Sequence, residues 1–532
     1  MRRWNGWGDE NHSMDLPGNG LDFLAERIGA ASPLASVTLE DVLQTVPASR
    51  LPDHSLIDKT PESRVYHARG QSLPDWLAMK SGEFNVFPDG VAFPETGEEV
   101  AQLIKFAADN KIKVIPYGGG TSVAGHINPR EESDPVLTID LGRMSRLLEL
   151  DEESLIATFG PGTAGPQVEA QLRAKGYTLG HFPQSFELST LGGWIASRSS
   201  GQQSLRYGRI EQLFAGGTME TPLGKMEVPA IPASAAGPDV REMVLGSEGR
   251  LGILTEVKVR VKPIAAREKF FVVFFPNWQQ AKEACRILIQ NMVQLSMLRL
   301  SNAIETETQL ALAGHEKLIG YLEKYLDFRG AGAEKCMMTV GITGSNAQFR
   351  ASLRQLKKIC RNYDGVYTGT RLGDKWEEKR FNMPYLRETL WQYGYVVDTL
   401  ETATNWDNLD SLLANMEDNL RRGLSDHNEK VHAFTHLSHF YAQGCSIYST
   451  YVFRTGETYR QTHDWWSHLK KTTSEIIVNN GGTISHQHGV GKDHAPYLAT
   501  EKGPLGMAAI SALVKELDPN GIMNPGTLLI DN

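Results

Sequence analysis

Four cysteines in 532 residues, at positions 285, 336, 360 and 445, are too few and too scattered for a disulfide framework or a cysteine-based metal site. They fit a reducing compartment. No run approaches the roughly 18 apolar residues that a membrane-spanning helix needs. Positive charge is short as well: 54 Lys and Arg against 63 Asp and Glu give a net charge of −9, and no basic run offsets it, which argues against nucleic-acid binding. The amino terminus, Met1-Arg2-Arg3-Trp4, starts basic but meets Asp9 and Glu10 before any apolar stretch, so it does not read as a signal peptide. Leu528 to Asn532 carry no address tag. The expectation is a cytoplasmic protein with no internal repeats.

Glycine is what the chain has, and it comes in clusters. The first is Pro116-Tyr117-Gly118-Gly119-Gly120-Thr121-Ser122-Val123, directly after an apolar, β-branched run ending at Ile115. Consecutive glycines leave no Cβ between backbone N–H groups and a bound anion, and Thr121 and Ser122 add hydroxyl donors. The composition suits a diphosphate cradle, although a tight turn without a ligand looks the same. A second cluster runs from Gly180 through Pro183, Ser185, Ser189, Thr190, Gly192 and Gly193 into a helical stretch holding Ser197. A third, Gly246-Ser247-Glu248-Gly249-Arg250-Leu251-Gly252, precedes an alternating strand from Ile253 to Val261. Three such loops exceed what one nucleotide diphosphate turn needs and suit a large cofactor lying extended.

Gly160-Pro161-Gly162-Thr163-Ala164-Gly165 spells a dinucleotide fingerprint between a strand and a helix. Pro161 removes an N–H from the turn that would hold phosphates, and Pro166 sits where a helix-starting proline belongs. The segment reads as a strand-to-helix turn. Around it, Glu98–Asn110 has helical periodicity, and Lys113–Ile115, Val136–Asp140 and Leu155–Phe159 read as strands.

From about 268 to 470 the character changes to longer helices and most of the tryptophans, with Arg299, Arg387, Tyr448 and Tyr451. Leu318, Ile319, Leu322, Tyr325 and Leu326 form one apolar stripe. It reads as a helix packed on a core, with a membrane-facing gate as the alternative. Tyr448 and Tyr451 are three apart in an alternating strand and face opposite sides, so only one can look into a site. Arg299, after Met297-Leu298, requires an anionic partner if it is buried. His486 and His488 lie in a glycine-rich loop, Gly481 to Lys492, which could equally be a turn with satisfied imidazoles.

Taken in order, Trp4-Asn5-Gly6-Trp7-Gly8, the 118–123 loop, Pro183 to Trp194, Gly246 to Gly252 and Asp518-Pro519-Asn520 resemble the FAD-binding flavoproteins of vanillyl-alcohol oxidase (PCMH) type, and within them the alkylglycerone-phosphate (alkyldihydroxyacetonephosphate) synthase branch. The resemblance implies an α+β fold: a two-subdomain FAD-binding domain with an α/β cap. The implied organisation is an N-terminal helical and irregular segment, 1–86, the FAD-binding domain, 87–265, the cap or substrate domain, 266–475, and a C-terminal segment, 476–532, that returns to the active site. FAD would lie against Pro116, Gly118, Gly119, Gly120, Thr121, Ser122 and Val123, against Pro183, Ser185, Ser189, Thr190, Gly192, Gly193 and Ser197, and against Glu248, Gly249, Gly252 and Ile253. Covalent members carry a histidine in the diphosphate loop where this chain has Thr121, so the FAD is expected to be non-covalent.

Relatives that dehydrogenate 2-hydroxy acids resemble a pattern HxGDxNxH followed by EHG, which holds a metal. The matching region here is Tyr441 to Tyr448 and then Gln487-His488-Gly489, with tyrosine at both histidine positions and glutamine for the glutamate. Neither phenol nor amide is a good ligand for a divalent transition metal, so no metal is expected. The resemblance makes Tyr448, His486, His488 and Arg387 the catalytic candidates, and Arg299, Arg387 and Lys492 the substrate-binding ones. To serve as a base, Tyr448, with its unperturbed pKa of about 10, would need cationic neighbours such as Arg387. Gln487 departs from the branch, which has histidine there. The implied reaction exchanges the acyl chain of acyl-dihydroxyacetone phosphate for a fatty alcohol without net redox. The alternative is an FAD-linked oxidase or dehydrogenase of a 2-hydroxy acid or alcohol. The expected partner is a lipid-like small molecule, with a peripheral membrane contact and a homodimer left open.

Overall fold

The computed structural model describes residues 2–530 except Glu132, Gly314 and His315. Met1, Asp531 and Asn532, which were read above for targeting signals, lie outside the described residues.

Two sheets build the first half of the chain. In the four-stranded sheet, Gly90–Ala92, Val136–Asp140 and Lys113–Tyr117 run parallel, and Ile57–Asp58 pairs antiparallel with Gly90–Ala92. The parallel pairing requires a crossover, supplied by the helix Gly97–Asp109. Thr96 caps that helix by accepting the Glu99 N–H, and Val100, Leu103, Ile104 and Ala107 recur at helical spacing to bury one face on the sheet. The second sheet is antiparallel, in the order Leu147–Asp151, Ile156–Phe159, Ile253–Arg260, Phe214–Thr221, Gly224–Val228. The edge strand Leu147–Asp151 escaped the sequence reading because it is half-exposed, so its side chains alternate weakly.

The cap is a seven-stranded antiparallel sheet in the order Val366–Tyr367, Arg267–Phe275, Cys336–Gly344, Met297–Ser301, His432–Phe440, Gly444–Arg454, Tyr395–Asn405. Phe270 through Phe275 are buried without alternation. Phe271, Val273 and Phe275 join the core with the helices Trp278–Gln290 and Asn346–Asn362, while Val272 and Phe274 pack on the other face against Leu322 and Leu326. A strand covered on both sides reads as a continuous apolar run. The helix Glu316–Phe328 touches that second cluster through Leu322 and Leu326 only, and Leu318 and Tyr325 of the apolar stripe are exposed, so most of the stripe is not core.

The chain end returns to the first half of the chain. The Val114 N–H donates to the Ile522 carbonyl at 2.8 Å, and the Asn524 side-chain amide donates to the carbonyls of Glu248 (2.7 Å) and His126 (3.1 Å). Among the described residues, no helix is long and apolar enough to cross a membrane.

Candidate active site

The three glycine loops converge on one cavity of about 1160 Å³, larger than the roughly 300–1,000 Å³ of an ordinary small-molecule site. Every residue named above for FAD lies on its wall. The loops need glycine for their mutual approach: a Cβ on Gly119 would stand 1.7 Å from the Leu188 carbonyl oxygen, and one on Gly118 would stand 2.3 Å from Thr190 Oγ1. Gly120 has φ +69°, the left-handed region that glycine tolerates. The result is a row of backbone N–H groups, from Gly119 to Val123, with no protein acceptor among the described residues. Such a row fits an anionic diphosphate. The fingerprint-like segment 160–165 behaves as a turn: Pro161 and Thr163 accept from the N–H groups of Gly192 and Leu191, and only Pro161 of that segment reaches the cavity.

His126, four residues past Ser122, locks this loop. Its Nδ1 is 2.6 Å from Ser122 Oγ and its Nε2 is 3.0 Å from Glu248 Oε1. Burial alone would lower its pKa, but the Glu248 carboxylate raises it above its usual value. Glu248 also accepts from the Val490 and Gly491 N–H groups, so the diphosphate loop, the third glycine cluster and the histidine loop share one contact.

The cap closes the opposite side. His436, Tyr448 and Glu401 are paired directly across three neighbouring strands and share a face. Tyr448 stacks on His436 with ring centroids 4.9 Å apart and meets His488 edge-on at 5.8 Å. Its hydroxyl donates to Thr399 Oγ1 at 3.2 Å. Tyr451 is fully buried on the other face, with its hydroxyl directed at Asp398. Arg299 has its anion: Glu305 Oε1 lies 2.6 Å from Arg299 Nη2 and 3.1 Å from His436 Nδ1. Burial would raise the Glu305 carboxyl, but His436 and Arg299 hold it at about 2. Arg387, on the helix Met383–Gln392, donates to the Gln71 carbonyl at 2.5 Å and lies over the Trp76 ring, while its Nη2 is buried with no partner.

The structure corrects three expectations. Arg387 does not lower the Tyr448 phenol. Burial pushes it up to about 12, helped by Glu401 and Asp398, and the cation near it is Arg299. Tyr448 is therefore a neutral hydrogen-bond donor. His486 and Lys492 are not on the cavity wall. The His486 ring is held by Arg209 Nη1 at 2.5 Å and the Tyr441 hydroxyl at 2.6 Å, and Lys492 donates to the Asn128 carbonyl on the side of the FAD loop. Tyr441 likewise belongs to that outer network. A histidine not foreseen from the sequence, His439, also reaches the cavity, where its ring bonds the Gln487 side chain. Simple alternation puts His436 and His439 on opposite faces, but a register shift between Leu437 and Phe440 turns both to the cavity. Burial, then Arg209, lowers His439 to about 3. Among the described residues, no three His, Cys, Asp or Glu side chains gather to hold a metal ion.

Residues 88–228 match the family described as FAD binding domain, and 264–528 match FAD linked oxidases, C-terminal domain. Alkyldihydroxyacetonephosphate synthase of Dictyostelium discoideum is 31% identical over 491 residues, covering 90% of this chain and 79% of that protein. The chain belongs to the alkyldihydroxyacetonephosphate synthase family of FAD-linked flavoproteins. The family's Trypanosoma brucei brucei member is 27% identical, with 99% of this chain and 92% of that protein covered. A solved alkyldihydroxyacetonephosphate synthase structure superposes with a TM-score of 0.86 at 26% identity, over 98% of both chains. FAD is this family's cofactor, and the glycine loops of this chain are the elements that would hold it.

Proposed function

We propose that this enzyme exchanges the acyl chain of an acyl-dihydroxyacetone phosphate for a fatty alcohol. The observation that carries the reading is the continuity of the cavity. One wall joins the cofactor loops, Tyr448, His488 and the partnerless Nη2 of Arg387 with apolar side chains that include Leu24, Leu310, Ile319, Leu322, Leu386 and Phe434. That combination suits a molecule with a reactive centre, an anionic group and a long chain.

When bound, FAD supplies an electron-accepting ring at the reacting carbon. The residues of the chain do the rest. Arg387 Nη2 is a buried donor without a partner, which suits a phosphate oxygen. Arg299 is partly committed to Glu305 and adds positive charge beside Tyr448. Burial lowers the His488 imidazole, with Glu401 opposing, so it is neutral at neutral pH and able to accept a proton. The Tyr448 hydroxyl, kept neutral, donates a hydrogen bond to substrate oxygen. The apolar side chains hold the departing and arriving chains away from water.

The test is to incubate the FAD-loaded protein with palmitoyl-dihydroxyacetone phosphate and labelled hexadecanol. Labelled ether product with release of palmitate is expected, and no ether product at saturating FAD overturns the reading. Bleaching of the flavin by a 2-hydroxy acid under anaerobic conditions would make it an oxidoreductase instead.

A contact with an anionic bilayer forms part of the same proposal. The helix Glu316–Phe328 turns Leu318, Ile319 and Leu322 to the cavity, yet Leu318 remains 61% and Phe328 86% exposed, together with Tyr321. On the cavity rim, the helix Arg371–Lys379 exposes Arg371, Lys375 and Lys379 at four-residue spacing. Exposed apolar side chains beside cations favour a negatively charged lipid surface. Co-sedimentation with phosphatidylserine-containing vesicles, lost on Leu318→Glu/Phe328→Glu, would support it; equal recovery of both proteins would overturn it.

A further inference from the structure

Glu401 lies in the strand Tyr395–Asn405, directly across from Tyr448. Its side chain is buried, and one carboxylate oxygen, Oε1, is surrounded by donors from the histidine loop. The backbone N–H groups of His486, Gln487 and His488 each donate to it at 3.0 Å, and the Ser485 hydroxyl donates at 2.9 Å. The loop thus wraps a single anion, as a backbone nest wraps a phosphate oxygen. The other oxygen, Oε2, has no hydrogen-bond partner and lies 3.7 Å from His486 Nδ1, while His488 Nδ1 lies 3.7 Å from Oε1.

Nothing else gives this loop a regular structure. Residues 483–490 form neither helix nor strand, and glycines stand at 481, 482, 489 and 491. Without an internal anion, consecutive N–H groups would be left buried without acceptors, which the fold does not tolerate cheaply. From the far side the loop is tied by Glu248, through Val490 and Gly491, and the His486 ring by Arg209 and Tyr441.

We propose that Glu401 is the positioning residue of this active site: its carboxylate fixes the 485–488 backbone so that the His488 imidazole stands edge-on to the Tyr448 ring. The proposal rests on the assignment of Tyr448 and His488 to the reaction. One carboxylate therefore serves both members of the pair. It orders the loop that carries the imidazole, and its negative charge disfavours ionisation of the phenol next to it. His488 is also faced by Asp398 of the same strand, Lys470 of the helix Tyr459–Asn479, His126 of the diphosphate loop, and His486 and His494 of its own segment. Of these, Glu401 and Asp398 favour the imidazolium, and Lys470 and His126 oppose it.

The test uses the full-length FAD-loaded protein with Glu401→Gln and Glu401→Ala, and Tyr448→Phe as a reference. In Glu401→Ala the amides of 486–488 should exchange with deuterium at least about tenfold faster, and kcat should fall about 100-fold with KM for both substrates within about threefold, the scale expected when a reacting group is misplaced by about 1 Å. Glu401→Gln retains an acceptor oxygen, so exchange should stay near wild type and most of kcat should return. The limb of its kcat/KM profile that reports His488 should nevertheless move to lower pH, because the charge favouring the imidazolium is gone. Exchange at 486–488 unchanged in Glu401→Ala, or an unshifted limb in Glu401→Gln, overturns the proposal. If Tyr448→Phe remains fully active, the assignment of the site fails, while the exchange data still decide whether Glu401 anchors the loop. Should Glu401→Ala fail to fold, Glu401→Gln carries the test through its pH profile.

Discussion

At the cofactor end the cavity is walled by backbone. Gly118, Gly119 and Gly120 pack against Leu188 and Thr190 so closely that no side chain fits, and the N–H groups of 119–123 are left facing inward. At the substrate end it is walled by side chains from distant segments: Arg387 from one helix, Arg299, His436 and Tyr448 from three strands, and His488 from a loop. Backbone donors come in local runs and stay aimed whatever titrates nearby. Side-chain donors must be assembled over long sequence distances and held by charge, and their chemistry changes with burial. The first arrangement suits an invariant ligand, the second a reaction.

Four experiments would break or sharpen that contrast. Tyr448→Phe should give the largest effect, a loss of about 100-fold or more in kcat, the scale of removing a hydrogen-bond donor aimed at developing charge, with FAD affinity by fluorescence titration unchanged. A matching loss of FAD binding would erase the distinction between the two ends. Gly119→Ala should do the reverse and raise the FAD dissociation constant by about tenfold or more, because its Cβ would overlap the Leu188 carbonyl and force the loops apart.

Glu305→Gln tests the charge that organises the substrate end. The folded-state pKa of Glu305 is lowered from the usual 4.5 to about 2, so its carboxylate contributes fully above pH 4.5 and loses that contribution as pH falls towards 2. The variant should lose up to about 3 kcal/mol at pH 7, and the difference from wild type in urea denaturation should shrink across that acid window. A constant difference at all pH values would place the stabilisation elsewhere.

Asp493→Asn should have the smallest effect and the opposite sign. Burial, with Asp75 and Asp398 beside it and Lys470 opposing, raises Asp493 to about 6, and its Oδ2 has no hydrogen-bond partner. An acid whose folded pKa is raised favours folding below its usual 3.8 and loses that advantage as pH rises through about 6. Removing the charge should therefore raise the thermal midpoint at pH 7.5 by a few degrees, equivalent to about 1–2 kcal/mol, and leave it unchanged near pH 3.5.

The same contrast explains what could be read in the sequence. The helix Gly97–Asp109 and the strand Ile253–Arg260 declare themselves because their apolar residues keep one period, and Val136–Asp140, buried on both sides, does so by its short β-branched run. The three glycine clusters are equally visible, since the constraint on each lies within a few residues. His439 is not, because the register shift that turns it inward leaves no mark in the alternation. Arg209 and Glu401 are not either: their partners lie 277 and about 85 residues away, and a single charged residue at a helix start or in a strand looks like surface. The state of the Tyr448 phenol is hidden for a related reason. The sequence can name candidate cations such as Arg387 but not the desolvation, which here outweighs the cation that is present.

The apolar lining of the cavity carries a consequence for turnover. In the proposed reaction the chain that departs and the chain that arrives are both long and apolar, and the one cavity that would take them is lined by Leu310, Leu322 and Leu386. Each must vacate before the other can dock, so a free fatty acid should compete both with the alcohol and with the acyl chain of the phosphate ester.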